Sequence, residues 1–308
     1  MHAREQLSAF VVSYNRADIL GTCLRALRFA DEVIVVDKSS SDGSAAVAAE
    51  LADQVLTVPW SPTVEETRVF ALSKCKHDWI LFLDDDECLS PEAARFIQCE
   101  LEAPRADIYA LPLRHYVLGQ HDERAYYWPE HHVRCFRRGA VEFRPTVHAG
   151  LQLISEKLMK VAPDAGACIH HLSHPDVASW IERTNRYTSR PDRARVEDTR
   201  QDLAGFAHAR IDHWIGRTHD AAPDGYPAAV ALLRSIYDMV DRLKTWEEVR
   251  GVDGTALLRQ TCERLDAAYR ADKTSGHRLA STIAGLLPSL KDWAAGLRRR
   301  GGALRSEP

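Results

Sequence analysis

The sequence of 308 residues lacks any uninterrupted stretch of about 18 apolar residues, so no membrane-spanning helix is expected. Residues 1–6 are charged and lead directly into a strand-like run, without the long apolar segment of a signal peptide. A cytosolic protein is the expectation, and a peripheral seat at a membrane is compatible with it. Glycine and proline are sparse, at 16 and 14 residues, while 45% of the chain is hydrophobic, which excludes collagen-like and disordered classes. There is no basic excess: 40 Lys and Arg stand against 44 Asp and Glu, so no general nucleic-acid binder is expected. No C-x-x-C occurs among the seven widely spaced cysteines. That argues against a disulfide framework or a zinc knuckle and for small core residues. No G-x-G-x-x-G follows the first apolar run and no G-x-x-x-x-G-K-[ST] is present, which weakens dinucleotide and P-loop readings. Internal repeats are absent.

What is present is a regular alternation over the first hundred residues. Continuous apolar runs at 7–13, 33–36, 54–58 and 79–83 read as buried strands. The segments 17–29, 44–51 and 63–75 between them carry helical spacing. Ser90 is placed to cap a further helix, with Pro91 in its first turn and Glu92 near its positive end. Apolar strands alternating with helices predict a parallel sheet covered on both faces, with ligands held outside the carboxyl ends of the strands. Polar loops leave those ends at 13–16, 37–43 and 84–87. From 108 to 169 the pattern is irregular, with strand-like pieces at 108–113, 133–136 and 147–153. Beyond about 175 only helices are read, at 229–246, 257–269 and 278–297. The first of these is amphipathic, with Leu232, Leu233, Ile236, Val240 and Leu243 on one face, suited to packing on protein or to touching a membrane or partner.

Asp84, Asp85, Asp86 and Glu87 at the end of the apolar WILFL run are costly together, because like charges repel and raise each other's pKa. A divalent cation removes that cost, and oxygen donors suit Mg²⁺ or Mn²⁺. Alternation along the strand predicts Asp84 and Asp86 facing one site with Asp85 pointing away. A solvated acidic turn is the alternative.

At these residues the chain resembles the family 2 glycosyltransferases. FVVSYNR at 10–16, VIVVDKSSSDGS at 33–44 and DWILFLDDDE at 78–87 stand in the family's order, with Asn15, Asp37 and Asp84 spaced by 22 and 47 residues. FALSKCKHDW at 70–79, YYWPEHHVRCFRRG at 126–139, Thr146-Val147-His148, NRYT at 185–188 and the run 224–248 look closer to the branch of bacterial lipopolysaccharide-core β-glucosyltransferases. The resemblance implies a GT-A fold: an α/β, Rossmann-like, mostly parallel sheet flanked by helices. A catalytic domain at 1–175 and a helical C-terminal extension at 176–308 are expected.

The implied activity is inverting transfer of a hexose from a nucleoside-diphosphate sugar, a UDP-sugar by preference, to a glycan or lipid-linked acceptor, aided by Mn²⁺ or Mg²⁺. Asp86 and Asp84 resemble the D-x-D motif for metal and nucleotide, with Asp85 between them. Asp37 matches the acid that takes the uracil N–H, and Ser13, Tyr14 and Asn15 would wall the nucleoside. Arg68 stands where the family places a basic residue near the diphosphate. Trp128, His131, His132 and Arg134 fall in the expected acceptor loop. His170 is the candidate third metal ligand, in a segment read as a loop.

The branch has a Glu after its Val-His pair, whereas this chain has Ala149, which cannot act as a base. His148 itself, Glu142 or another carboxylate, an acceptor needing no base, and loss of activity all remain open. An impaired relative that binds nucleotide-sugar or a protein partner is the rival reading. A nucleotidyltransferase is a second rival, opposed by the absence of a glycine-rich basic loop after the first strand.

Overall fold

The computed structural model describes residues 4–62, 64–143, 151–190, 202–219, 222 and 224–274. The N-terminal half runs β1 (Leu7–Ser13), α1 (Leu20–Ala26), β2 (Glu32–Asp37), α2 (Ser44–Leu51), β3 (Gln54–Thr57), α3 (Glu65–Lys74), β4 (Trp79–Asp84), β5 (Glu87–Leu89) and α4 (Pro91–Glu102). Then follow β6 (Ile108–Val117), β7 (Glu130–Arg137), β8 (Val141–Phe143), β9 (Leu151–Leu153), β10 (Leu158–Lys160) and β11 (Ile169–His174). Four helices end the described chain: α5 (Val177–Thr188), α6 (Leu203–Ile215), α7 (Tyr226–Arg250) and α8 (Gly254–Thr274).

The main sheet has the order β3-β2-β1-β4-β7-β6-β11-β5, with β10 added to β6; β8 and β9 pair separately. Strands β3, β2, β1 and β4 are parallel, while β7 runs antiparallel to both β4 and β6. This mixed sheet flanked by helices, with further helices towards the C-terminus, is the α/β class that the GT-A resemblance implies.

Side-chain alternation explains why the early strands are apolar throughout. Phe10, Val12, Ile34, Val36, Ile80 and Phe82 form one core with Ala71 of α3. Ala9, Val11, Val35, Leu81 and Leu83 form the other, with Leu20 and Leu24 of α1 and Ile97 of α4. Each Val, Leu, Ile or Phe among them, taken fully from water, contributes about 1.5–3 kcal/mol. Helix α4 starts as expected, the Ser90 hydroxyl accepting from the Ala93 N–H at 3.0 Å. All seven cysteines are free, and five of them are buried.

Strand β1 is followed outward by β2 and β3, whereas β4 lies on its other side. The order of the strands therefore reverses between β1 and β4, and such a switch point leaves a crevice beyond the carboxyl ends. The register Val12↔Asp84 puts the acidic run at the mouth of that crevice, and Ser13↔Asp37 puts the second acid beside it.

One difference from the sequence expectation bears on the site. Residues 169–174, read as a loop, form a strand between β6 and β5. The chain divides into compact units at Met1–Trp246 and Glu247–Pro308. The helix read at 278–297 lies outside the described residues. No helix among the described residues is long and apolar enough to cross a membrane.

Candidate active site

Strand β4 ends at Asp84, and Asp85 and Asp86 make the two-residue turn into β5. The strict alternation expected for Asp84–Asp86 therefore stops at Asp84, and the three carboxylates go to three sets of partners. Asp84 Oδ1 accepts from Arg68, and its Oδ2 accepts from Arg134 at 3.3 Å. Asp85 does not point away: its Oδ2 accepts from the Tyr14 N–H at 3.0 Å, and Arg16 lies 3.6 Å from its Oδ1. Asp86 is ringed by Arg16 at 3.3 Å, His171 at 3.5 Å and Arg183 at 3.7 Å.

Charge and burial set the ionisation of these groups. For Asp84, burial alone would raise the pKa, but Arg68 and Arg134 outweigh it and hold the carboxyl low. Burial acts on Asp86 in the same way, and His171, Arg16 and Arg183 depress it well below the usual carboxylate range. Asp85 is different: burial and the neighbouring Asp86 charge push it up to about 7. His171 is disfavoured as a cation by burial, yet the Asp86 carboxylate overrides that and raises its pKa.

Arg134 anchors the region from β7. It is buried, pairs with both oxygens of buried Glu87 at 2.6 and 2.7 Å, and lies 4.7 Å above the Phe82 ring. Fork-on-carboxylate geometry of this kind fixes orientation as well as charge. Arg134, expected in an acceptor loop, thus braces the acidic turn from within the sheet.

The second acid, Asp37, is 2% exposed. One of its oxygens accepts from the Ser40 N–H at 3.1 Å, while Oδ1 has no partner among the described residues. The Ser13 hydroxyl in register beside it is also buried without a partner. A buried polar atom left unpaired costs about 1–3 kcal/mol, so both atoms call for a partner that the described residues do not supply. Asn15, at φ 52°, turns the β1 loop back, its side-chain oxygen accepting from the Ser41 N–H at 2.8 Å. Tyr14 and Trp60 present exposed rings with centroids 6.2 Å apart on the same side of the sheet ends.

Strand geometry also resolves the histidines. Adjacent residues on β11 face opposite sides, so His170 and His171 separate. His170 is bonded to the Tyr116 hydroxyl at 2.9 Å, and it is His171 that stands against Asp86. A polar chain continues from there: His171 Nδ1 to His115 Nδ1 at 2.8 Å, and His115 Nε2 to Glu130 at 3.2 Å. His132 lies 3.2 Å from the same Glu130, whereas His131 donates to the Val161 carbonyl at 2.8 Å on the other side of β7. Trp128 lines a cavity of about 810 Å³ together with His115, Glu130 and His171. Glu142 is exposed on β8 in the small second sheet, and His148 lies outside the described residues. His115, Glu130, Arg16 and Arg183 carried no assignment in the sequence. His171 belongs to the histidine cluster from which a third metal ligand was expected, but His170 was the member chosen.

No group of three or more His, Cys, Asp and Glu side chains among the described residues is set to hold a metal ion alone. Mg²⁺-type sites at nucleotides need only one or two protein donors, because the phosphates supply the others. Asp86 with His171 beside it fits that requirement. Asp84, whose partner Arg68 sits closer than either arginine of Asp86, fits it less well.

The model of the family described as Glycosyl transferase family 2 matches residues 8–151, the stretch that contains β1 to β4 and the acidic turn. An uncharacterized glycosyltransferase of Rickettsia felis is 34% identical over 122 residues, 39% of this chain and 43% of that protein. The lipopolysaccharide core biosynthesis glycosyltransferase LpsC of Rhizobium meliloti is 30% identical over 159 residues, 47% of this chain and 56% of that protein. The chain thus spans about half the length of the curated relatives it matches. Among solved structures, glucosyl-3-phosphoglycerate synthase from Mycobacterium tuberculosis aligns over 36% of this chain and 44% of that one, at 18% identity and a TM-score of 0.30. Over residues 8–151, just under half of its length, the chain is similar to glycosyl transferase family 2.

Proposed function

We propose that the protein transfers a hexose from UDP-sugar to a glycan or lipid-linked acceptor, with inversion at the transferred carbon. The observation that carries this reading is the buried, unpartnered Asp37 Oδ1 beside Ser13, at the same crevice as the cation-ringed acidic turn. A carboxylate oxygen in that position accepts the imide N–H of uracil, and Tyr14 and Trp60 offer ring faces to the base. Arg16, Arg68 and Arg183 then supply the positive charge that a diphosphate needs as its leaving charge grows.

Asp86, with His171, is the pair that would hold Mn²⁺ or Mg²⁺. Bound there, the ion supplies Lewis-acid neutralisation of the diphosphate. Asp84 holds Arg68 and Arg134 at the mouth of the site, and Asp85 fixes the β1 loop through the Tyr14 N–H. His148 and Glu142 are the proposed candidates for the base that takes the acceptor proton. Glu130 is a weak one, because its hydrogen bonds with His115 and then His132 hold its carboxyl low. The name of the Rhizobium meliloti relative favours a lipopolysaccharide-core acceptor, which would place the reaction at the cytoplasmic face of a membrane.

The test is a panel of nucleotide-sugars with Mn²⁺, scored by slow hydrolysis of the donor. A UDP-sugar should be cleaved, and Asp86→Ala should abolish cleavage. Binding of UDP with no cleavage of any sugar nucleotide would instead establish a binding module.

A further inference from the structure

The cavity of about 810 Å³ beside His171 is closed by residues that lie outside the family-matched stretch. Trp180 comes from α5, Trp214 from α6, Arg217 from the turn after it, and Arg234 from α7. The cavity is rich in donors and poor in acceptors. Three guanidinium groups surround the Trp214 ring: Arg234 at 5.0 Å, Arg210 at 5.3 Å and Arg217 at 5.5 Å.

Among the described residues one carboxylate, the buried Asp238, is bonded within this group. It takes Arg210 at 2.6 and 2.7 Å and the Trp214 N–H at 2.7 Å, and Arg234 reaches it only at 3.5 Å. Arg210 is therefore neutralised, and two positive charges are left on the residues that line the cavity. Glu130 is the one carboxylate among those lining residues, and it is committed to His115 and His132. Two further polar atoms on the lining, Trp180 Nε1 and His174 Nδ1, are buried and without a partner among the described residues. Aromatic faces complete the wall, with Tyr126 edge-on to Trp214 at 4.9 Å.

We infer that this cavity binds an acceptor saccharide bearing a carboxylate or a phosphate. Arg217 and Arg234 take the anion, Trp214 and Tyr126 take the sugar face, and Trp180 donates to a hydroxyl. Both anions present several acceptor oxygens to guanidinium donors, the strongest pairing available to a group in this wall. Its role as an acceptor site rests on the proposed transferase reading; the anion preference itself does not.

The test is ligand-observed NMR on the full chain with Mg²⁺ and UDP present. D-Galacturonate and D-mannose 6-phosphate are titrated against their neutral parents, methyl galactoside and methyl mannoside. At least one anionic sugar should bind about tenfold or more tightly than its parent. The arm that shows the gain tells a carboxylate from a phosphate. Arg217→Gln with Arg234→Gln should reduce the anionic sugar to the level of its parent. Arg217 is exposed, so Arg217→Gln alone, expected to lose part of the preference, keeps the test open if the double variant fails to fold. Equal binding of charged and neutral sugars, no binding of either anion, or a preference that survives substitution would overturn the inference. UDP titrated into the same sample separates the two readings. Failure of UDP to bind would overturn the donor site while the sugar titrations still decide the anion site.

Discussion

A carboxylate as enclosed as Asp86 stays ionised because Arg16, Arg183 and His171 are packed around it, and the same physics governs acids far from the site. Glu32 is buried on β2, accepting from the Ser8 hydroxyl at 2.6 Å, the Lys76 N–H at 2.9 Å and the Lys76 ammonium at 3.0 Å. Burial pushes its pKa up, but the bonds from Ser8 and Lys76 prevail and leave it below the ordinary value. The folded carboxyl therefore ionises more readily than the unfolded one, which has a pKa of about 4.3. Its stabilising contribution is complete above that value and is lost as pH falls through the lower folded one. Glu32→Gln should cost about 1–3 kcal/mol at pH 7, with the difference narrowing below about pH 4. Urea unfolding of both proteins at the two pH values measures it. At this scale the acids of the site were legible in the sequence, since Asp37 and Asp84–Asp86 end apolar runs where no core needs a charge. The choice of His171 over His170 was not. It depends on whether 169–174 is a strand or a loop, and a strand reverses the side at every residue.

Among elements, the hairpin of β4 and β5 is fixed from outside by β7 through Arg134. Arg134→Ala would leave Glu87 as a buried charge without its counterion. The expected cost is about 3–5 kcal/mol in chemical denaturation, larger than for exposed arginines such as Arg95. The early strands were readable because both faces of the sheet are covered and their runs are continuously apolar. The later ones were harder for the opposite reason. Residues 130–137 read EHHVRCFR, with Glu130, His132 and Arg134 turned to polar partners on one face and His131 to a backbone carbonyl on the other. A strand that serves a polar site loses the periodicity by which strands are recognised. Helix α7 was visible as an amphipathic stretch, but the buried face is not the one the sequence suggested: Val230, Leu233 and Asp238 are buried, whereas Leu232 and Leu243 are exposed.

For the whole molecule, the two ends of the candidate site come from different parts of the chain. The end proposed for the nucleotide lies in the family-matched stretch, whereas the cavity beyond His171 needs α5, α6 and α7. Helix α7 is docked by Val230 and Leu233 on Val117, Tyr127 and Trp128, and by the Tyr226 hydroxyl, which donates to the Gln120 carbonyl at 2.6 Å. Val230→Asp would put an unpaired charge into that cluster. It should abolish transfer to an acceptor while slow donor hydrolysis persists, and assaying both reactions on one preparation checks the division. The central claim, a uridine nucleotide held at the β1–β4 switch point, is tested most directly by calorimetric titration of UDP with Mn²⁺ into the wild-type chain and Asp37→Ala. One saturable site is expected in the wild type, with affinity lower by about 10–100-fold in the variant, the loss of one charge-assisted hydrogen bond. Absence of UDP binding in the wild type, or equal affinity in the two proteins, would contradict that claim.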